Sequence, residues 1–261
     1  MLVDSHCHLS GLENLQDIVD RARKNGVEYL LNAGGKFDQL DENLNICNMF
    51  DGIYTVSGVH PHDAKDYAYV TSDNVLENLQ HEKVVAVGEC GLDYYYDFSP
   101  KDIQIKVLEQ MIVASQESGL PIIIHNRNSD EDMADILTDA YKKKPFKGVI
   151  HCFSSSWELA KAALDIGFYI SASGIITFNS ATEIRDSFAK VPLEKLLVET
   201  DTPYLAPVPY RGKVNEPSYV VNTTRLLAEI KGVDFNKISD ITTSNFFSLF
   251  DKIKRTDNQH G

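Results

Sequence analysis

Met1-Leu2-Val3-Asp4-Ser5-His6-Cys7-His8-Leu9 sets an apolar run directly against two histidines one residue apart. In a strand, residues two apart share a face, so Asp4, His6 and His8 are expected on one side and Ser5 and Cys7 on the other. Two imidazoles then converge on one point, and each neutral ring offers a lone pair that suits a transition metal. A strand end with two partly exposed histidines fits the same nine residues. What the other strands end in decides between them.

Outward from this stretch, strand-like and helix-like patterns alternate without a linker, repeat or low-complexity break. Leu15, Ile18, Val19 and Ala22 fall at helical spacing and Gly26 closes the stripe; residues 27–32 read as a second strand. Helix is expected over 37–50, strand over 53–59 and helix over 72–80. The continuous apolar run 84–87 is what a parallel strand covered on both faces requires, and it leads into Gly88-Glu89-Cys90-Gly91-Leu92-Asp93. Ser99 as N-cap and Pro100 at the first helical position start a helix that Gly119 ends. Strand 121–124 delivers His125-Asn126-Arg127, helix 129–143 follows, and strand 148–150 delivers His151-Cys152-Phe153. Helix 157–166, strand 168–172 and helix 181–190 precede an eighth strand, 196–198, which ends in Glu199-Thr200-Asp201. A Pro- and Tyr-rich connection over 204–217 leads to a final helical stretch containing Leu226, Leu227 and Ile230.

Eight strands with intervening helices predict a single-domain (β/α)8 TIM barrel over residues 1–250, followed by a polar tail over 251–261. An open doubly wound sheet is the alternative. The polar residues favour the barrel: His6, His8, His60, Glu89, His125, His151 and Asp201 all follow apolar strands, and only a closed barrel aims so many strand ends at one axis. Six of the eight histidines, His62 included, sit there; His81 and His260 read as solvated surface.

The composition, 43% hydrophobic and 24% charged over 261 residues, is that of a globular chain. No apolar run approaches the roughly 18 residues of a membrane span, and no basic-then-apolar leader is seen, so a cytoplasmic protein without membrane contact is expected; a monomer is the separate expectation for its state of assembly. Cys7, Cys47, Cys90 and Cys152 form no Cys-x-x-Cys pair, which argues against thiolate zinc and redox chemistry. Three of them neighbour a candidate ligand, where alternation turns a small hydrophobe outward to the helix layer. A formal charge of −13 argues against nonspecific grip on long duplex DNA, but not against a small nucleic-acid substrate at a metal centre.

The chain resembles the TatD family of metal-dependent deoxyribonucleases, within the amidohydrolase-like barrel superfamily. The resemblance rests on Asp4-Ser5-His6-Cys7-His8, Gly58-Val59-His60-Pro61-His62, Gly88-Glu89-Cys90-Gly91-Leu92-Asp93-Tyr94, His125-Asn126-Arg127, His151-Cys152-Phe153-Ser154 and Glu199-Thr200-Asp201-Thr202-Pro203. Arg211-Gly212, Asn215-Glu216-Pro217 and Asn245-Phe246-Phe247-Ser248-Leu249-Phe250 extend it towards the C-terminus. Ser155 and Ala172 depart from the family's usual glycine and aromatic residue.

The resemblance implies two divalent ions per subunit, Mg, Mn or Zn: one held by His6, His8, Glu89 and Asp201, the other by Glu89, His125 and His151. A carboxylate has two oxygens, so Glu89 is the natural bridge. Two such cations activate a water for in-line displacement at phosphorus, so DNA or another small phosphoester is the expected substrate, attacked at single-stranded or frayed ends. Asp201 is the expected proton acceptor; Glu199 is either its substitute or a residue that orients a ligand. Arg127 and Arg211 suit bidentate phosphate clamping, or else loop salt bridges; His60 and His62 read as outer phosphate contacts or holders of a third ion. Tyr94, Tyr95, Tyr204 and Tyr210 are candidates for base stacking, with packing under a loop as the alternative. Asp4 is expected to orient a histidine or fill a polar layer. The same centre could attack a carbonyl, which leaves an ester or amide hydrolase, such as a D-aminoacyl-tRNA deacylase, as the second reading. Glu89 in place of a lysine at the fourth strand argues against dihydroorotase-type relatives.

Overall fold

The computed structural model describes residues 1–34 and 36–255; His260 and the end of the expected tail lie outside the described residues. Eight strands, β1 (Leu2–Cys7), β2 (Val27–Asn32), β3 (Ile53–Ser57), β4 (Val84–Asp93), β5 (Ile122–Arg127), β6 (Gly148–Ile150), β7 (Tyr169–Ala172) and β8 (Leu196–Val198), lie parallel in sequence order in one sheet. Between and after them run helices α1 (Leu15–Lys24), α2 (Leu40–Met49), α3 (Ser72–Asn78), α4 (Lys101–Ser118), α5 (Asp130–Lys143), α6 (Trp157–Asp165), α7 (Thr182–Lys190), α8 (Val220–Lys231) and α9 (Phe235–Leu249). An open doubly wound sheet would reverse its strand order at a switch point; unbroken order with a helix in each crossover is the (β/α)8 barrel.

The strands are apolar on both faces because each face meets a different partner. Val3, Leu31, Val85, Ile123, Val149 and Leu197 fill the barrel, and Phe246, Leu249, Phe250 and Ile253 pack with them. Leu2, Leu30, Val84, Ile122, Ile150 and Leu196 belong to the larger core that includes the helices. At the seam between β1 and β8, hydrogen bonds knit the chain together. The Asp4 carboxylate accepts from Thr200 N at 2.9 Å and Thr200 Oγ1 at 2.5 Å, Ser5 Oγ donates to the Val198 carbonyl at 3.0 Å, and Asp201 N donates to the His6 carbonyl at 2.9 Å. Burial raises the Asp4 pKa to about 8 against these donors.

Four local expectations change. Strict alternation in β1 fails, because its register with β2 shifts between Asp4 and Cys7. Cys7 therefore packs in the outer core while Ser5 reaches across to Ser171 Oγ at 3.2 Å, so the two do not share a face. Strand β4 runs on to Asp93 instead of stopping near Val87, which puts Glu89 inside the strand. Helix α4 is capped by Pro100; Ser99 Oγ instead accepts from Lys65 N and donates to the His62 carbonyl. After α8 the chain forms α9, unanticipated from the pattern, with Asp234 as its N-cap accepting from Lys237 N at 2.8 Å.

Missing side chains bring β3, β4 and β5 close at the site. A Cβ on Gly58 would stand 2.6 Å from Gly88 Cα, and one on Gly91 would collide with the His125 carbonyl oxygen.

Candidate metal centre

Five of the strand-end histidines, His6, His8, His60, His125 and His151, meet at one carboxylate, Glu89. Glu89 Oε2 lies 3.2 Å from His6 Nε2 and 3.7 Å from His8 Nε2. Its Oε1 lies 2.8 Å from His151 Nε2, 3.1 Å from His125 Nδ1 and 3.3 Å from His60 Nε2. The two oxygens thus face different histidine sets, β1 on one side and β3, β5 and β6 on the other. Asp201 Oδ1 joins the β1 side, 3.4 Å from His8 Nε2 and 3.8 Å from His6 Nε2.

Backbone conformation aims two of these groups. Asp201 has φ 59° and Cys152, beside His151, φ 44°, left-handed values that cost a non-glycine residue energy and recur at functional sites. His8 is oriented through its far nitrogen: Nδ1 lies 3.0 Å from the Gly34 carbonyl, which fixes Nδ1–H as donor and turns Nε2 to the carboxylates.

Burial opposes charge at Glu89, yet the charges of His151, His60 and His6 and the hydrogen bond from His125 hold its carboxyl well below the usual range. Burial likewise opposes charge on His8, but the hydrogen bond to Asp201 and the charges of Glu89 and Asp201 raise it to about 9. His6 moves down, by burial and by the charge of His151.

The donor set fits divalent ions. His6 Nδ1, His6 Nε2 and His151 Nε2 are buried without a hydrogen-bond partner, although both Nε2 atoms approach Glu89. Buried polar atoms are almost always satisfied, and unpaired imidazole nitrogens flanking a carboxylate have the chemistry of ligands. Among the described residues, three groups of potential ligand atoms converge: His6 with Glu89 and His151, His6 with His8 and Asp201, and the histidines His60, His62 and His125.

A further layer holds these side chains. Glu199 is fully buried; its Oε1 accepts from Cys152 N at 2.6 Å and lies 3.3 Å from His151 Nδ1, behind the ring rather than in the centre. Asp93, a residue the sequence pattern does not single out, lies with Oδ2 2.7 Å from His62 Nε2 and 3.2 Å from His125 Nε2. The period-two step Glu89, Gly91, Asp93 would have revealed it had β4 been read to its full length. Cys90 packs outward as expected, whereas Cys152 sits with Sγ 3.2 Å from Ser173 Oγ.

Arg127 is exposed, its guanidinium over the Tyr95 ring at 4.0 Å, and Arg211 is exposed over Phe178 at 3.6 Å; stacking of this kind uses a guanidinium's flat face and leaves its N–H edges available. Beside Arg127 opens a groove of about 1120 Å3, with Asn126, Ser154, Glu183 and Lys190 among its walls. The tyrosines separate. Tyr204 is exposed, 6.1 Å from the His8 ring. Tyr94 donates its hydroxyl to Asp132, its ring lies under Lys101 and its flank packs on the core. Tyr210 stacks on Tyr219 at 3.9 Å.

Residues 3–251 match the family model described as TatD related DNase. The chain is 40% identical to the uncharacterized metal-dependent hydrolase YabD of Bacillus subtilis over 253 residues, covering 96% of this chain and 99% of that protein. It is 31% identical over 239 residues to the 3'-5' ssDNA/RNA exonuclease TatD of Escherichia fergusonii, covering 90% of this chain and 92% of the relative. Among solved structures, the TatD homologue YjjV of Escherichia coli superposes with a TM-score of 0.84 at 28% identity, over 96% of this chain and 98% of that one. A barrel closed on one carboxylate between two histidine sets, with a family model spanning nearly its whole length, makes this chain a member of the TatD-related family of metal-dependent hydrolases.

Proposed function

We propose that this protein hydrolyses phosphodiester bonds at single-stranded or frayed ends of DNA, using two divalent cations. The observation that carries the reading is the division of Glu89: one oxygen faces His6 and His8, the other His125 and His151, and two of the facing nitrogens are buried without partners. His6, His8, Glu89 and Asp201 would hold one ion, and Glu89, His125 and His151 the other. When bound, the pair neutralises the phosphoester's charge and lowers the pKa of the attacking water.

The chain's own groups supply the rest. Asp201, 9% exposed beside His8, takes the proton as the P–O bond forms and passes it on as the leaving oxygen departs. Glu199 holds His151 through Nδ1 and thereby sets where Nε2 points. Arg127 presents its N–H edges to a phosphate from the loop after His125, and Arg211 does so from the loop after β8. His62, whose ring meets the same Tyr96 that Arg127 covers, and His60 beside it contact the phosphate beyond the scissile one. The acidic chain and a centre set among strand-end loops favour a free end over the middle of a duplex. The exonuclease name of the Escherichia fergusonii relative agrees with this class of substrate.

The test compares wild type with Glu89→Ala on end-labelled single-stranded DNA in Mg2+, Mn2+ and Zn2+, with EDTA as control. Wild type should release nucleotides only with metal, and the variant should fall below about a hundredth of that rate, at least what losing one preorganised transition-state contact costs. Full activity in the variant would overturn the bridging role. Parallel assays on D-aminoacyl-tRNA and N-acyl amides decide between phosphorus and carbonyl as the electrophile.

A further inference from the structure

The geometry points to Tyr96 and Phe98 as a docking shelf for the terminal nucleobase of the substrate. The inference rests on the hydrolytic reading of the centre and deepens it: the preferred substrates carry a base, not merely a phosphoester.

Between β4 and α4 the chain puts three aromatic side chains into solvent. Tyr95 is 58%, Tyr96 39% and Phe98 51% exposed. Contiguous exposed apolar surface needs a reason, and folding supplies none here, because burial of these rings does not hold the loop. Gln104 holds it. Only 1% exposed, Gln104 accepts from Asp93 N at 2.8 Å and donates to the Asp93 carbonyl at 3.0 Å and the Ser99 carbonyl at 2.8 Å, pinning both ends of the segment. Inside it, Asp93 Oδ1 accepts from Tyr95 N and Tyr96 N, both at 3.0 Å. The rings are therefore displayed on an ordered frame, and a ligand docking there orders little that is not ordered already.

The frame is wired to the centre. The other oxygen of Asp93 lies 2.7 Å from His62 Nε2 and 3.2 Å from His125 Nε2. Tyr96 and Phe98 lie nearly parallel, ring centres 5.2 Å apart and planes 9° from each other, and each meets the His62 ring edge-on, at 5.4 and 4.8 Å. One imidazole separates the aromatic pair from the site's carboxylates. Arg127 completes the arrangement, 4.0 Å over Tyr95 and 4.7 Å over Tyr96. A flat apolar pair, a cation at its edge and a hydrolytic centre one side chain away match a nucleotide: base on the rings, phosphate at the guanidinium and histidines. Every base has a π face, so the shelf selects for the presence of a base and not for its identity.

The experiment compares wild type, Tyr96→Ala and Phe98→Ala, in Mn2+, on two single-stranded oligonucleotides. One has natural terminal nucleotides, and the other a tetrahydrofuran abasic residue at the end attacked. Wild type should prefer the natural end by about ten- to a hundredfold in kcat/KM, chiefly through KM, the range that one stacked base supplies. Each variant should bring that ratio close to unity. Because the ratio is internal to each protein, loss of folded material cancels. A preference that persists in both variants, or one absent from wild type, overturns the shelf while leaving hydrolysis standing. If wild type cleaves no oligonucleotide, the phosphodiesterase reading fails and the shelf is judged by binding alone. A 2-aminopurine-terminated oligonucleotide quenched by wild type and not by the variants supports it; equal or absent quenching overturns it.

Discussion

Replacing Gln104 with Met isolates what the pinned loop contributes, because the side chain keeps its length and flexibility and loses only its polar atoms. Three hydrogen bonds disappear, to Asp93 N, the Asp93 carbonyl and the Ser99 carbonyl. At about 1 kcal/mol net each the loss is roughly 3 kcal/mol. The figure could rise if the freed backbone groups stayed dry, since Asp93 is 1% and Ser99 2% exposed. It could fall if the loop opened to water, and then amide exchange at Tyr95 and Tyr96 should accelerate. Urea unfolding with hydrogen exchange on the same protein reads both channels. Gln104→Glu adds a sign. A carboxylate facing two carbonyls is disfavoured, so its folded pKa lies above the unfolded one; its stability is fully present below the unfolded pKa and is lost as pH rises through the folded pKa. A Gln104→Met protein within about 0.5 kcal/mol of wild type, with unchanged exchange at Tyr95 and Tyr96, would refute the argument that Gln104 orders the loop.

Two further outcomes follow from the described contacts. Glu199→Gln should weaken binding of one of two titrated Mn2+ or Zn2+ ions by about ten- to a hundredfold in calorimetry, as for other groups that orient a metal-bound histidine; unchanged affinities with a depressed kcat would make Glu199 a proton carrier instead. All four cysteines should resist an aromatic disulfide reagent at pH 8 in the native protein and react after denaturation: burial pushes the Cys47 thiol up to about 12, and Cys7, Cys90 and Cys152 are also raised by burial. Rapid labelling of the native chain at any of them would contradict this.

The barrel was legible because its strands are short apolar runs, each handing over to a polar residue, and that hand-over marks both the fold and the site. His6, His8, His125, His151 and Asp201 needed only the expected strand ends to be gathered together. Legibility ended where a local pattern had competitors. Ser99-Pro100 has the form of a helix start, yet the Ser99 hydroxyl serves Lys65 and His62, contacts 34 and 37 residues away in sequence. Strand β4 extends past its last valine through two glycines that no propensity assigns to a strand, hiding Asp93. Helix α9 buries Ser239, Thr242 and Thr243 beside Ile238 and Phe246, and those polar residues blur its apolar stripe. The tyrosines differ only in what long loops bring near them, which spacing cannot state.

The glycines at the strand ends have an evolutionary reading. Gly58 rests against the backbone of Gly88, and Gly88 and Gly91 rest against Ile123 and His125. The contacts run in series, β3 to β4 to β5, so β4 cannot retreat from a methyl at Gly58 without pressing on the strand that carries His125. A methyl at any of the three would press on the backbone of a neighbouring segment, so these positions should be slow to vary.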